Sequence, residues 1–160
     1  LPFQRQACGL GDVAQRALAA MQQRAQARQI SLEVAVPAEL PLQADPERIS
    51  QVVRNLLTNA VEYTPRGRWV SLQAWDRGPE IQLAVRDTGP GILVEGLPYI
   101  FEQFYRVDKS RSQATGGVRL GLTVARRLVE ARGGKISVRS KPGEGTEFMV
   151  RLSRNDEAIK

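Results

Sequence analysis

The chain has 160 residues, 42% of them hydrophobic and 25% charged, with 14 glycines and 9 prolines spread along its length. A chain of this size is expected to form one domain that buries roughly 70% of the surface its unfolded form exposes, so folding needs no disulfide or metal staple. No run approaches the roughly 18 apolar residues of a membrane helix, the opening Leu1-Pro2-Phe3-Gln4-Arg5 lacks the apolar stretch of a secretory leader, and the single Cys8 has no partner for an internal disulfide, so a reducing cytoplasm is the expected setting.

Lysine and arginine number 23 against 17 acids, a net charge of +6. Such a balance suits a phosphate-bearing or acidic partner. The cations are scattered over predicted helices, strands and loops without a basic run or an aromatic-interleaved stripe, and a nucleic-acid partner is not expected.

After a loop-like start, Asp12 is placed to cap a helix over residues 12–28, where Ala14, Ala17, Leu18, Met21 and Ala25 recur at steps of three and four. Ile30 to Val36 alternates apolar with small or polar residues up to Pro37 and predicts a half-buried strand. Asp45-Pro46-Glu47 starts a second helix, because aspartate can cap free amides and proline at the first helical position forfeits no hydrogen bond. Its apolar face runs through Ile49, Val52, Val53, Leu56, Leu57, Ala60 and Val61 until Thr64-Pro65-Arg66-Gly67 ends it.

A hairpin follows, with strands over Trp69 to Trp75 and Ile81 to Val85 around Asp76-Arg77-Gly78-Pro79. From Asp87 to Gly117 no period is sustained, and a loop of that length in a compact domain points to function. Leu122, Ala125, Leu128 and Val129 mark a third helix that closes at Gly133-Gly134. Strands over Lys135 to Ser140 and Thr146 to Leu152 then turn through Pro142-Gly143, and the polar tail from Ser153 to Lys160 is expected to fray. The order α β α β β, long loop, α β β predicts an α/β fold, a two-layer sandwich with about three helices on one face of a mixed sheet.

Four short motifs carry chemistry. Asn55 and Asn59 are four residues apart on one face of the second helix, and Tyr63 continues that face. An asparagine amide offers an uncharged oxygen suited to magnesium beside phosphates, although the pair read alone is better explained as a solvent-facing helix surface. Asp87-Thr88-Gly89-Pro90-Gly91 follows a strand, where an acid can accept hydrogen bonds from a base amino group and glycines admit close approach; a plain turn explains it as well. Gly116-Gly117-Val118-Arg119-Leu120-Gly121-Leu122 leads into the third helix, offering amides and a positive dipole end to phosphate. Gly143-Glu144-Gly145-Thr146 is first of all a turn before the last strand.

In this order the four motifs resemble the N, G1, G2 and G3 boxes of the histidine kinase ATPase family, part of the gyrase, Hsp90, kinase and MutL superfamily with its Bergerat fold. Ile100 to Asp108 resembles the family's F box, which separates sensor kinases from the gyrase and Hsp90 branches and speaks against an anti-sigma-type serine kinase. The resemblance covers residues 12 to 152. It implies ATP and Mg2+ as ligands, with Asn59 on the metal and Asn55 one turn earlier near the phosphates. It further implies Tyr63 packed on adenine, Asp87 reading the adenine amino group, Gly89, Gly91 and Ile92 lining the base pocket, and Thr146 supporting it. Gly117, Arg119, Leu120, Gly121 and Leu122 fall in the phosphate loop, Arg106 is a lid arginine that reaches the γ-phosphate, and Phe101 and Phe104 anchor the lid.

The resemblance also implies residues 1–11 as a linker from an upstream helical dimerisation and phosphoacceptor domain, residues 12–152 as the catalytic domain with a lid at about 92–117, and residues 153–160 as a tail. Its implied partners are that helical domain, through which the parent would be a homodimer, and a response regulator receiver domain; the implied location is cytoplasmic, with an inner-membrane sensor as one form of the parent. The chain contains no histidine, so the phosphoacceptor must lie elsewhere. Two departures touch the triphosphate. Glu62 stands where the family has Lys or Arg, and Arg119 stands where it has glycine. Either Arg119 compensates for the cation missing at position 62, or the domain has become a non-catalytic interaction module.

Overall fold

The structure is a computed structural model that describes the backbone of residues 6–91 and 113–155 and the side chains of residues 6–91 and 121–155. In chain order the elements are β1 (Gln6–Gly9), α1 (Leu10–Ala27), β2 (Ser31–Ala35), β3 (Pro41–Ala44), α2 (Pro46–Tyr63), β4 (Trp69–Arg77), β5 (Glu80–Asp87), α3 (Gln113–Ala131), β6 (Lys135–Lys141) and β7 (Gly145–Ser153).

Five strands form a mixed sheet in the order β2-β4-β5-β7-β6, with β2 parallel to β4 and every other pair antiparallel. Side chains alternate across a sheet, so one face collects Val70, Leu72 and Ala74 of β4, Ile81, Leu83 and Val85 of β5, and Phe148, Val150 and Leu152 of β7. These meet the buried stripes of the helices in one hydrophobic cluster. Helix α2 lies between α1 and α3 and packs on β4 and β5, which gives the expected two layers.

Helix α2 forms where the sequence indicates. The Asp45 side chain accepts a hydrogen bond from the Glu47 amide at 3.0 Å, and Pro46 occupies the first turn. Its other end is clamped from outside: Arg28 donates to the carbonyls of Val61 at 2.9 Å, Glu62 at 3.1 Å and Thr64 at 3.2 Å. A guanidinium there satisfies carbonyls that the helix cannot and opposes the negative end of its dipole.

Several local readings differ from expectation. Helix α1 begins at Leu10, capped by Gly9 without a side-chain bond, so Asp12 sits in the first turn and acts on the dipole instead of capping. The loop-like start contains β1, which pairs antiparallel with β3 and buries Cys8, Leu42 and Ala44. Neither four-residue strand has a pattern long enough to read, and their pairing is a long-range contact. Helix α3 begins at Gln113, so Gly116 and Gly117 lie within it and not ahead of it. No proline interrupts that stretch, and the glycine penalty of about 1 kcal/mol per residue is outweighed by the packing of α3 on α2 and β6. Ser153 belongs to β7, and Arg154 donates to the carbonyls of Gly78 at 2.8 Å and Pro41 at 2.9 Å, so the tail is tied down at its start. Residues 1–5 and 156–160 lie outside the described residues. Among the described residues no helix is long and apolar enough to cross a membrane.

Leu56 is wholly buried on α2 within the hydrophobic cluster. Leu56→Ala is expected to lower unfolding free energy by about 2–5 kcal/mol, the range for a large-to-small core substitution, as measured by urea denaturation.

Candidate functional site

The two asparagines of α2 have different surroundings. The Asn55 amide nitrogen donates to the Gly121 carbonyl at 3.0 Å, which ties α2 to α3. A Cβ at Gly121 would stand 3.6 Å from Asn55 Cγ, so the helices meet closely there. Asn59, one turn on, is 5% exposed, and its Oδ1 has no hydrogen-bond partner among the described residues. Leaving such an acceptor unsatisfied costs about 1–3 kcal/mol. Nothing in the packing of α2 explains that cost.

Tyr63 ends α2 half-buried. Its carbonyl and the Asp87 carboxylate crowd Gly89 from two sides, since a Cβ there would lie 3.2 Å from Tyr63 O and 3.0 Å from Asp87 Oδ1. The Gly89 amide donates to Asp87 Oδ1 at 2.9 Å. Asp87 closes β5 opposite Thr146 of β7, and both are 7% exposed. Desolvation lifts the Asp87 pKa above its ordinary value, only partly countered by hydrogen bonds from the Gly89 and Thr146 amides.

The floor beneath this carboxylate is made of glycine. Gly145 has φ +119, and a Cβ there would fall 2.0 Å from the Asp87 carbonyl oxygen; Gly91 has φ +80, and its Cβ would fall 2.4 Å from the Lys141 carbonyl oxygen. The Gly143 amide donates to the Pro90 carbonyl at 2.7 Å, so the turn after β5 and the β6–β7 turn are pressed together backbone to backbone. An open cleft of about 780 Å³ adjoins them, lined in part by Trp69, Asp87, Ser140, Lys141 and Thr146.

The structure therefore brings together Asn55 with Gly121, Tyr63 with Gly89 and Asp87, and Asp87 with Thr146, across α2, α3, β5 and β7. Leu122 lies wholly buried in the hydrophobic core, facing the apolar cluster, not an open site. Gly117, Arg119 and Leu120 belong to the backbone of α3, with side chains outside the described residues. Ile92, Arg106, Phe101, Phe104 and most of the lid stretch also lie outside the described residues. Sequence reasoning passed over Ser140, whose Oγ stands 2.9 Å from Thr146 Oγ1. Its signal was present: Ile136, Val138 and Ser140 share one face of β6, so a hydroxyl occupies an apolar register.

The raised pKa has a consequence for stability. The native state holds the Asp87 proton more tightly than the unfolded chain, so this group's contribution is full below the unfolded pKa and is lost as pH rises through the folded value. Relative to the neutral variant Asp87→Asn, the wild-type chain is expected to lose stability as pH rises above about 4. Urea denaturation of both proteins at stepped pH measures this; a constant difference would show that burial leaves the carboxyl unshifted.

The profile of the family described as histidine kinase-, DNA gyrase B-, and HSP90-like ATPase matches residues 44–156. Sensor histidine kinase YkoH of Bacillus subtilis (strain 168) is 39% identical over 147 residues, which make up 91% of this chain and 32% of that protein. The chain thus spans about a third of the length of such curated relatives. Among solved structures, full-length ShkA in complex with AMPPNP is similar at TM-score 0.84 and 29% identity, over 99% of this chain and 33% of that one. Histidine kinase ThkA in complex with the response regulator TrrA shares the fold at TM-score 0.82 and 23% identity, over 98% of this chain and 44% of that one. With motifs, fold and sequence relationship agreeing from β3 to β7, the chain belongs to the histidine kinase-, DNA gyrase B- and HSP90-like ATPase family and represents the ATP-binding catalytic domain of its sensor histidine kinases.

Proposed function

We propose that this domain binds magnesium-ATP between α2 and the ends of β5 and β7 and presents the γ-phosphoryl group to a histidine on a separate helical domain. The observation that carries the reading is the pairing of a desolvated acceptor, Asp87, with an unpartnered buried acceptor, Asn59 Oδ1, on elements joined through Tyr63 and Gly89. Asp87 accepts from the adenine amino group, Tyr63 packs on the base, and Gly89, Gly91 and Ile92 line it. Thr146 supports it from the neighbouring strand.

The asparagine oxygen fits magnesium, a hard cation that takes oxygen ligands. Among the described residues no cluster of three His, Cys, Asp or Glu could hold an ion by itself, so Asn59 would share it with phosphate oxygens and water. Bound there, the ion supplies charge neutralisation between the phosphates. Gly117, Arg119, Leu120 and Gly121 meet the phosphate chain, Asn55 holds α3 against α2 through Gly121, and Arg106 offsets charge at the γ-phosphate. Arg119 supplies the cation that Glu62 replaces.

The chain has no histidine, so the acceptor and the base that takes its proton come from outside. The partners are a dimerisation helix pair reached through the N-terminal segment and, downstream, a response regulator, as ThkA is seen with TrrA. The location is cytoplasmic.

Calorimetric titration is expected to show ATP binding that requires magnesium. Asp87→Asn should weaken it about ten- to a hundredfold, the loss of one hydrogen bond to a charged group. Asn59→Ala should abolish the magnesium dependence. The domain alone should not label itself with phosphate, whereas a histidine-bearing helical domain from a related kinase should become labelled on addition. Absence of binding at millimolar magnesium-ATP would remove the kinase reading in favour of a non-catalytic module.

A further inference from the structure

We infer that Ser140 is a positioning residue that sets the polarity of the Thr146 hydroxyl, so that Thr146 and its strand neighbour Asp87 both meet a base as acceptors and select a 6-amino over a 6-oxo purine. This rests on the nucleotide reading of the site.

Ser140 and Thr146 are directly opposed on β6 and β7. Ser140 Oγ lies 3.0 Å from the Gly145 carbonyl, and a carbonyl has no proton to give, so Ser140 is the donor in that bond. A serine hydroxyl has one proton. In the 2.9 Å contact between Ser140 Oγ and Thr146 Oγ1, the proton must therefore be threonine's. Thr146 is left with lone pairs alone for anything that enters the cleft, beside the Asp87 carboxylate, which accepts as well. Gly145 is held in the β6–β7 ladder opposite Lys141, which keeps its carbonyl beside Ser140. The hydroxyl order runs one way, from Thr146 to Ser140 to Gly145.

Two acceptors side by side suit an amino group and repel a carbonyl. Inosine triphosphate is the apt probe, since it carries oxygen at purine position 6 and no 2-amino group to confound the comparison. ATP and inosine triphosphate are competed, with magnesium, against a fluorescent ATP analogue. In Ser140→Ala the Thr146 proton becomes free to bond a 6-oxo group, so the ATP-to-inosine-triphosphate affinity ratio should fall about five- to tenfold, chiefly through tighter inosine triphosphate binding. A gain of binding is not what a merely loosened hairpin would produce. Ser140→Thr should restore the wild-type ratio, and Thr146→Val in the Ser140→Ala background should remove the gain. Ser140→Cys, with a poor acceptor, is the second variant should alanine unfold the hairpin, and the same shift at smaller size is expected. An unchanged ratio in Ser140→Ala and Ser140→Cys, or equal loss of both nucleotides in them, overturns the role of Ser140 while leaving the ATP reading intact. Wild-type protein that binds neither nucleotide overturns both.

Discussion

A carboxylate held away from water at the end of a central strand is the constraint around which the site is arranged. Asp87 stays 7% exposed because β5 runs antiparallel to β7, α2 ends above it, and two turns with positive-φ glycines close beneath it. Each contact leaves no room for a side chain, as the 2.0 Å approach at Gly145 and the 3.0 Å approach at Gly89 show. Desolvation destabilises the charged form, and two backbone amides only partly make up for it. The fold thus maintains an acceptor that the described residues do not fully satisfy. That is a loss to stability, and in the proposed reading of the site it serves to recognise a donor on a ligand.

Helix α2 connects this carboxylate to the second half of the site. The Asp45 cap fixes its start, Arg28 gathers the carbonyls at its end, and an unbroken apolar face packs it on β4 and β5. On a helix so secured, Asn55 and Asn59 are held in defined places. One ties down α3 through Gly121, and the other keeps an oxygen that has no partner among the described residues. Rigid support of this kind lets a buried polar atom persist without rearranging to find a partner.

The basic balance of the chain also acquires a structural account. Glu147 on β7 is bridged by Arg86 and Arg139 on the neighbouring strands, and Arg151 pairs with Glu80 at 2.5 Å. Arg28, Arg132 and Arg154 donate to backbone carbonyls. These arginines serve as internal connectors between elements, and the exposed ion pairs among them contribute little to stability individually.

Local chemistry determined α1, α2, the β4–β5 hairpin and the final hairpin in the sequence itself: caps, apolar spacing and turn residues act over a few positions and leave a pattern that can be read. Asn59, Asp87 and Thr146 could be singled out as candidates too, because the four motifs stand in a telling order. What only the tertiary structure decided is how residues distant in sequence constrain one another. The pairing of β1 with β3, the grip of Arg28 on α2, the seating of Leu122 in the core and the one-way hydroxyl chain from Thr146 through Ser140 to Gly145 are of this kind. A hydrogen bond or steric limit between strands depends on register and approach distance, and these are set only once the whole sheet and its helical layer have closed.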